Sequence, residues 1–129
     1  MDEKLEKSKM KNINWLEAPE DHDYSASFDY LSLIFSEVEA KQYMEQLKNA
    51  NIILYKAKDL FRASTLPLLD ESNMHVKTDL KKINQGESIA PLLLVRNTFN
   101  HTLIIADGYH RLCAVYTMDE DALIPCKIV

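Results

Sequence analysis

The spacing of apolar residues changes near residue 50 and divides the chain in two. Before that point it is helical. Phe28, Leu31, Ile34 and Phe35 mark one face and predict a helix over residues 24–35. Ser36 with Glu39 three positions later is a capping-box pattern that restarts a helix. Ala40, Tyr43, Met44 and Leu47 then fall at i, i+3, i+4 and i+7, so residues 37–49 form a second helix with one buried stripe. The Lys/Glu-rich residues 1–12 are expected to be frayed. Residues 1–50 therefore read as an N-terminal helical cap.

After residue 50 the elements are shorter and mixed. Residues 52–55 are apolar and β-prone, residues 58–62 suit one helical turn, and residues 64–73, with Pro67, read as loop. Val76, Leu80 and Ile83 at i, i+4 and i+7 predict a helix that ends at Gly86. Strands follow at 92–96 and 102–106, joined by a turn at 97–101. Gly108 breaks the second strand, residues 109–116 read as a helix, and 124–129 as a last strand whose exposed edge could pair with another chain. The expected fold class is α+β. Residues 51–129 form a small mixed β-sheet with flanking helices, and with the cap they make a single domain.

Composition narrows the class. A 129-residue chain with 47% hydrophobic and 27% charged residues is ordinary globular chemistry and excludes a wholly disordered protein. No apolar run approaches the roughly 20 residues that a membrane-spanning helix needs, and the charged N-terminus has no secretory pattern. Two cysteines, Cys113 and Cys126, are too few for a disulfide framework. The expected location is the cytoplasm, with no membrane partner. The net charge of −5 argues against direct DNA binding by this chain. The acid excess lies entirely in residues 1–50, with 6 Lys/Arg against 11 Asp/Glu, so the cap is a candidate surface for a protein partner. Lys56, Lys58, Arg62, Lys77, Lys81 and Lys82 make a local basic stretch suited to phosphate.

Only two glycines occur, and Gly108 is the informative one. It separates a buried strand from a helix that opens with Tyr109, His110 and Arg111. A helix N-terminus offers unpaired N–H groups and a positive dipole end, and His and Arg add directional donors, so the turn suits an anion. The same spacing equally allows Arg111 to pair with Asp107 and His110 to serve as a satisfied cap residue.

Several features in one order resemble the ParB/sulfiredoxin-like superfamily: a strand and basic turn, a helix, PLLLVR, a hairpin, DGYHRLCA and IPCKIV. The resemblance covers residues 51–129. It matches Gly108, Tyr109, His110 and Arg111 to the Gly–Cys–His–Arg motif by which sulfiredoxins hold ATP phosphates, related to the Gly–Glu–Arg–Arg motif that contacts CTP in ParB-type partition proteins. It also implies a second phosphate-facing set on the preceding helix, falling here on His75, Thr78 and Lys82. These three share one helix face, and a merely solvated lysine face fits them as well.

Two departures limit what the resemblance implies. Tyr109 stands where sulfiredoxin carries its nucleophilic Cys, so sulfinic-acid reduction lacks its attacking atom; Cys113 and Cys126 read as core. Partition proteins carry a helix-turn-helix and a dimerisation domain after this region, so a centromere-binding clamp is not expected from residues 1–129 alone. The implied function is a nucleotide (phosphate)-binding protein, as a phosphotransferase or nucleotidase, with ATP, ADP or CTP and Mg²⁺ as ligands. The alternative is a non-catalytic, partition-like or regulatory interaction module with a degenerate site. The ParB-like nuclease label has little support, since no clustered carboxylates for two-metal hydrolysis are visible. Free-serine kinases in the superfamily use an acidic base. Glu17, Glu20, Asp21, His22 and Asp23 in the cap, with Asp59 and Asp107 near the expected phosphate end, are candidates, and the catalytic residue stays unassigned. No protein metal site is expected: the cysteines and four histidines lack metal-ligand spacing. His22 and His101 read as surface residues.

Overall fold

The computed structural model describes residues 13–129, so the expected fraying of residues 1–12 lies outside the described residues. The described chain is α+β, with five helices and a four-stranded mixed sheet. The strands are β1 (Ile53–Lys56), β2 (Leu92–Asn97), β3 (Thr102–Asp107) and β4 (Leu123–Ile128). The helices are α1 (Asp21–Ile34), α2 (Glu37–Asn49), α3 (Ala57–Ser64), α4 (Met74–Asn84) and α5 (Tyr109–Met118).

Period-two alternation in β2 organises the molecule. Leu92 and Leu94 enter one hydrophobic cluster with α3, α4 and α5, whereas Leu93 and Val95 enter a second with α1 and α2. All four are fully buried, as a strand covered on both faces requires. The cap thus roofs one face of the sheet and the remaining helices roof the other.

Strand order is β1-β4-β2-β3. β2 and β3 form an antiparallel hairpin, β4 lies parallel to β2, and β1 is antiparallel to β4. The expectation of an exposed edge at 124–129 is therefore corrected, because β4 is paired on both sides and β1 and β3 are the edges. Pro125 is tolerated in this interior strand because pairing with β2 begins one residue later, at Cys126.

The cap helices follow their sequence signals closely. In α1, Asp23 accepts the Glu20 backbone N–H at 2.8 Å and completes a capping box, so the helix starts three residues before the expected position. Its buried stripe is Tyr24, Ser27 and Leu31; Ile34, expected on that face, is exposed. The Ser36 hydroxyl oxygen accepts the Glu39 N–H at 3.2 Å and caps α2, a contact worth about 1 kcal/mol. Phe28, Leu31, Phe35, Tyr43, Met44 and Leu47 all pack into the second cluster. A buried cation ties the cap to the sheet: Lys127 Nζ donates to the Lys48 carbonyl at 3.1 Å, at the C-terminal end of α2, and lies 5.5 Å from the Tyr24 ring centre.

Residues 13–20 do not join the helical cap. Leu16 N–H donates to the Ile89 carbonyl, and Ile89 N–H to the Asn14 carbonyl, each at 2.9 Å, so the chain forms a β-bridge at Trp15 and then bends at Glu17 and Ala18. Ile13 and Trp15 pack with the cluster on the opposite face of the sheet. Their alternating apolar side chains suit a bridge better than a helix. Among the described residues, no helix is long and apolar enough to cross a membrane.

Candidate functional site

β3 ends at Asp107, Gly108 turns the chain, and α5 begins at Tyr109. Gly108 has φ +111°, and an added Cβ would lie 2.7 Å from Leu92 Cγ and 3.0 Å from Arg111 Nη2. Only glycine fits there, in conformation and in space. Among the described residues no side chain caps α5, and the N–H groups of its first turn have no partner within the helix.

This turn faces α4 across a cavity of about 270 Å³. His75, Thr78, Asp79 and Lys82 line it from α4, and Asp107, Gly108, Tyr109, His110 and Arg111 from the turn. All seven residues singled out from the sequence, four on the turn and three on the helix, therefore border one space. The helix contribution rests on its own cap: Asn73 Oδ1 accepts from the His75 and Val76 N–H groups and fixes the start of α4. Val76 and Ile83 anchor its opposite face in the core.

Individual roles differ from the simple expectation. Arg111 Nη2 donates to Asp107 Oδ2 at 2.7 Å and to the Pro91 carbonyl at 3.4 Å, which is the brace that the spacing allowed. Among the described residues its buried Nε has no hydrogen-bond partner, so the brace uses only part of the guanidinium. Thr78 donates its hydroxyl to the Met74 carbonyl at 2.9 Å, leaving only its lone pairs for a ligand in this rotamer. The Tyr109 hydroxyl donates to the Pro67 carbonyl, holding the 65–73 loop against α5. Burial pushes its phenol above the ordinary value, helped by nearby Cys113, so it is neutral at physiological pH. Cys113 and Cys126 are buried, and burial pushes both thiols up, Cys126 to about 11.

The histidines stack in the cavity wall. The rings of His75 and His110 are 4.7 Å apart, and those of Tyr109 and His110 are 5.6 Å apart. Burial, then the neighbouring His75, lowers the His110 pKa below its ordinary value, although Asp79 opposes the shift. His22 and His101 are exposed.

Two carboxylates stand at the site: Asp107, expected from the sequence as a candidate base or as the partner of Arg111, and Asp79, to which sequence reasoning gave no role. Asp79 is half-buried and, among the described residues, accepts no hydrogen bond and joins no ion pair. Burial raises its pKa against the opposing charges of Arg111, Lys82, His110 and His75. Helical spacing held the signal, since 75, 78, 79 and 82 form one i, i+3, i+4, i+7 face. Asp107 is pushed up by burial, opposed by Arg111, and raised further by the nearby Asp23. Asp23 is the member of the cap's acidic cluster that reaches the site region, and it is buried. Asp59 does not: it lies 3.6 Å from Arg62 in a wider groove of about 590 Å³ along α3.

No protein-family model, curated protein or solved structure matches the chain. The chemistry of the cavity therefore carries the functional reading. Among the described residues, no group of three or more His, Cys, Asp or Glu side chains could hold a metal ion. The cavity combines an uncapped helix N-terminus with Lys82 and Arg111, and such a set accepts oxyanions.

Proposed function

We propose that this chain is a ParB/sulfiredoxin-like, cytoplasmic protein that binds the phosphates of a nucleotide between α4 and the first turn of α5. One observation carries the reading. Seven residues that the sequence marks as phosphate contacts border a single cavity that opens onto an uncapped helix N-terminus. In this reading the first-turn N–H groups position a phosphate, Lys82 supplies a point charge, and the guanidinium face of Arg111 not engaged by Asp107 supplies directional donors. Mg²⁺ accompanies the nucleotide, and its chemistry is charge neutralisation of the phosphates. Asp79 is the residue that would meet it, since its half-buried carboxylate has no protein partner among the described residues.

Phosphotransferase or nucleotidase activity is the enzymatic form of this proposal. Sulfinic-acid reduction is not part of it, because Tyr109 is a neutral phenol tied to Pro67. A second reading has its own support: the Arg111–Asp107 ion pair at 2.7 Å resembles a structural brace, as expected of a regulatory module with a degenerate site. A thermal-shift screen of ATP, ADP, CTP and GTP, each with and without Mg²⁺, separates the two. A ligand at 100 times its Kd stabilises by about 2.7 kcal/mol. Stabilisation by at least one nucleotide supports the proposal, and an unchanged Tm with all of them refutes it.

A further inference from the structure

Helix α1 carries two stripes. Tyr24, Ser27 and Leu31 are buried, whereas Ala26, Tyr30, Leu33 and Ile34, at i, i+4, i+7 and i+8, line an exposed side of the same helix. Leu33 is 84% exposed, and Tyr30 and Ile34 are each 45% exposed. Only Phe35 and Ser36 separate α1 from α2, and the second residue of α2, Val38, is 69% exposed. Tyr30, Leu33, Ile34 and Val38 therefore gather at one corner of the cap. Single exposed apolar residues are ordinary, but a set gathered on helical spacing marks an interaction surface. From Val38 the surface continues along α2 as a hollow of about 470 Å³, lined also by Lys41, Gln42, Glu45 and Gln46.

Charge decides what fits this corner. Residues 13–50 carry 8 Asp/Glu against Lys41 and Lys48 alone, whereas residues 51–129 are balanced at 9 against 9. Asp29 precedes Tyr30, Glu37 precedes Val38, and Glu45 shares the hollow with Val38. Among the described residues, none of these three acids joins an ion pair. An acidic rim around an apolar stripe repels nucleic acid and anionic lipid, and it opposes pairing with a second copy of the same corner. It favours a partner of opposite charge. A basic amphipathic helix meets both demands, with apolar residues at i, i+4 and i+7 to pack on the stripe and Lys or Arg on its flanks.

We propose that the α1–α2 corner docks a basic amphipathic helix of a partner protein, with Leu33, Ile34 and Val38 as apolar anchors and Asp29, Glu37 and Glu45 as the charged rim. The proposal does not rest on the nucleotide reading. The corner belongs to the helices that roof one face of the sheet, and the cavity at Gly108 is bordered by helices that pack on the other.

The test is titration of the isotope-labelled full-length chain with an about 18-residue peptide of Leu and Lys patterned as a basic amphipathic helix, and with the same peptide carrying Glu for Lys. The basic peptide is expected to shift the amide signals of Tyr30, Leu33, Ile34 and Val38, and the acidic peptide none of them. Leu33→Gln combined with Val38→Gln should weaken binding about tenfold or more. Both positions are exposed, so the melting curve should be unchanged. Asp29→Asn combined with Glu37→Gln should weaken binding less and flatten its salt dependence. Failure of the basic peptide to bind, equal binding of both peptides, shifts confined to other surfaces, or binding that survives the Leu33 and Val38 substitutions overturns the proposal. Dimerisation abolished by those two substitutions would assign the corner to a second copy. Signals of residues 1–12 moved by them, without peptide binding, would assign it to the chain's own N-terminus, and binding to phosphatidylcholine vesicles instead of the peptide would assign it to a membrane. Each of these three results also overturns the proposal.

Discussion

Replacing Gly108 by alanine puts a methyl group where the fold has no room for one. The backbone there has φ +111°, outside the conformations an L-residue adopts readily, and the strain costs about 1–3 kcal/mol. The new Cβ would also lie 2.7 Å from Cγ and 3.2 Å from Cδ1 of Leu92, and 3.0 Å from Arg111 Nη2. Leu92 is fully buried between β4 and the helices and cannot swing away, so overpacking adds about 1–3 kcal/mol. The sum, about 2–6 kcal/mol, is a large share of the ~5–15 kcal/mol that holds a domain together. For a chain of this size it predicts a fall in Tm of at least about 6 °C. Urea denaturation of wild type and Gly108→Ala measures the loss directly. Leu92→Ala supplies an internal check, because the space it vacates should accept the new methyl. The double variant should then be more stable than the sum of the single losses by roughly 0.5–3 kcal/mol. A Gly108→Ala protein within about 0.5 kcal/mol of wild type would refute the reasoning, since neither the strain nor the contact could then be real.

Two further perturbations probe the groups around the turn. Arg111→Lys keeps the charge but loses the planar donor set, so nucleotide affinity should fall roughly ten- to hundredfold while the brace to Asp107 weakens and Tm drops modestly; a lower Tm with unchanged affinity would assign Arg111 to the fold alone. Burial raises the Asp107 pKa, so the folded state holds its proton more tightly than the unfolded chain does. That stabilisation is complete below the usual carboxylate value of about 4 and is lost as pH rises through the elevated folded value, so wild type should lose stability relative to Asp107→Asn across that window. Paired melts from acid to neutral pH measure the difference, and a constant or oppositely sloping difference would contradict the assignment.

Legibility in the sequence followed the range of the forces involved. Ser36 with Glu39, and the 3.6-residue stripe through Ala40, Tyr43, Met44 and Leu47, are local signals, and α2 appears at the expected residues. The start of α1 had a comparable signal in Pro19, Glu20 and the acids that follow, which reads equally well as an acidic cluster until the Glu20–Asp23 contact is seen. The place of β4 in the sheet was not readable. A strand's neighbours depend on how α5 carries the chain back, and nothing within residues 123–128 distinguishes an interior strand from an edge. At the site, the set 75, 78 and 82 came from the family resemblance and helical spacing placed the three on one face, so Asp79 on that same face was within reach of the spacing rule. The meeting of Asp23 with Asp107 was not, because it joins two elements through tertiary packing alone.

The two-sided burial of β2 also bears on how such a chain can change over generations. Leu93, Val95 and Ala106 on the sheet, and Leu31, Ala40 and Leu47 on the cap, press on one another with no exposed surface to absorb a change in volume. A larger residue at Ala40 or Ala106 must be answered by a smaller one across the interface. Drift in the cap is therefore coupled to drift in β2 and β3, and β3 leads directly into Gly108. A shortened relative beginning near residue 51 would need polar substitutions at 93, 95 and 106 before its sheet could face water. The heritable unit is thus the sheet together with its roof, and substitutions far from the cavity in sequence carry consequences for the strand that ends at its edge.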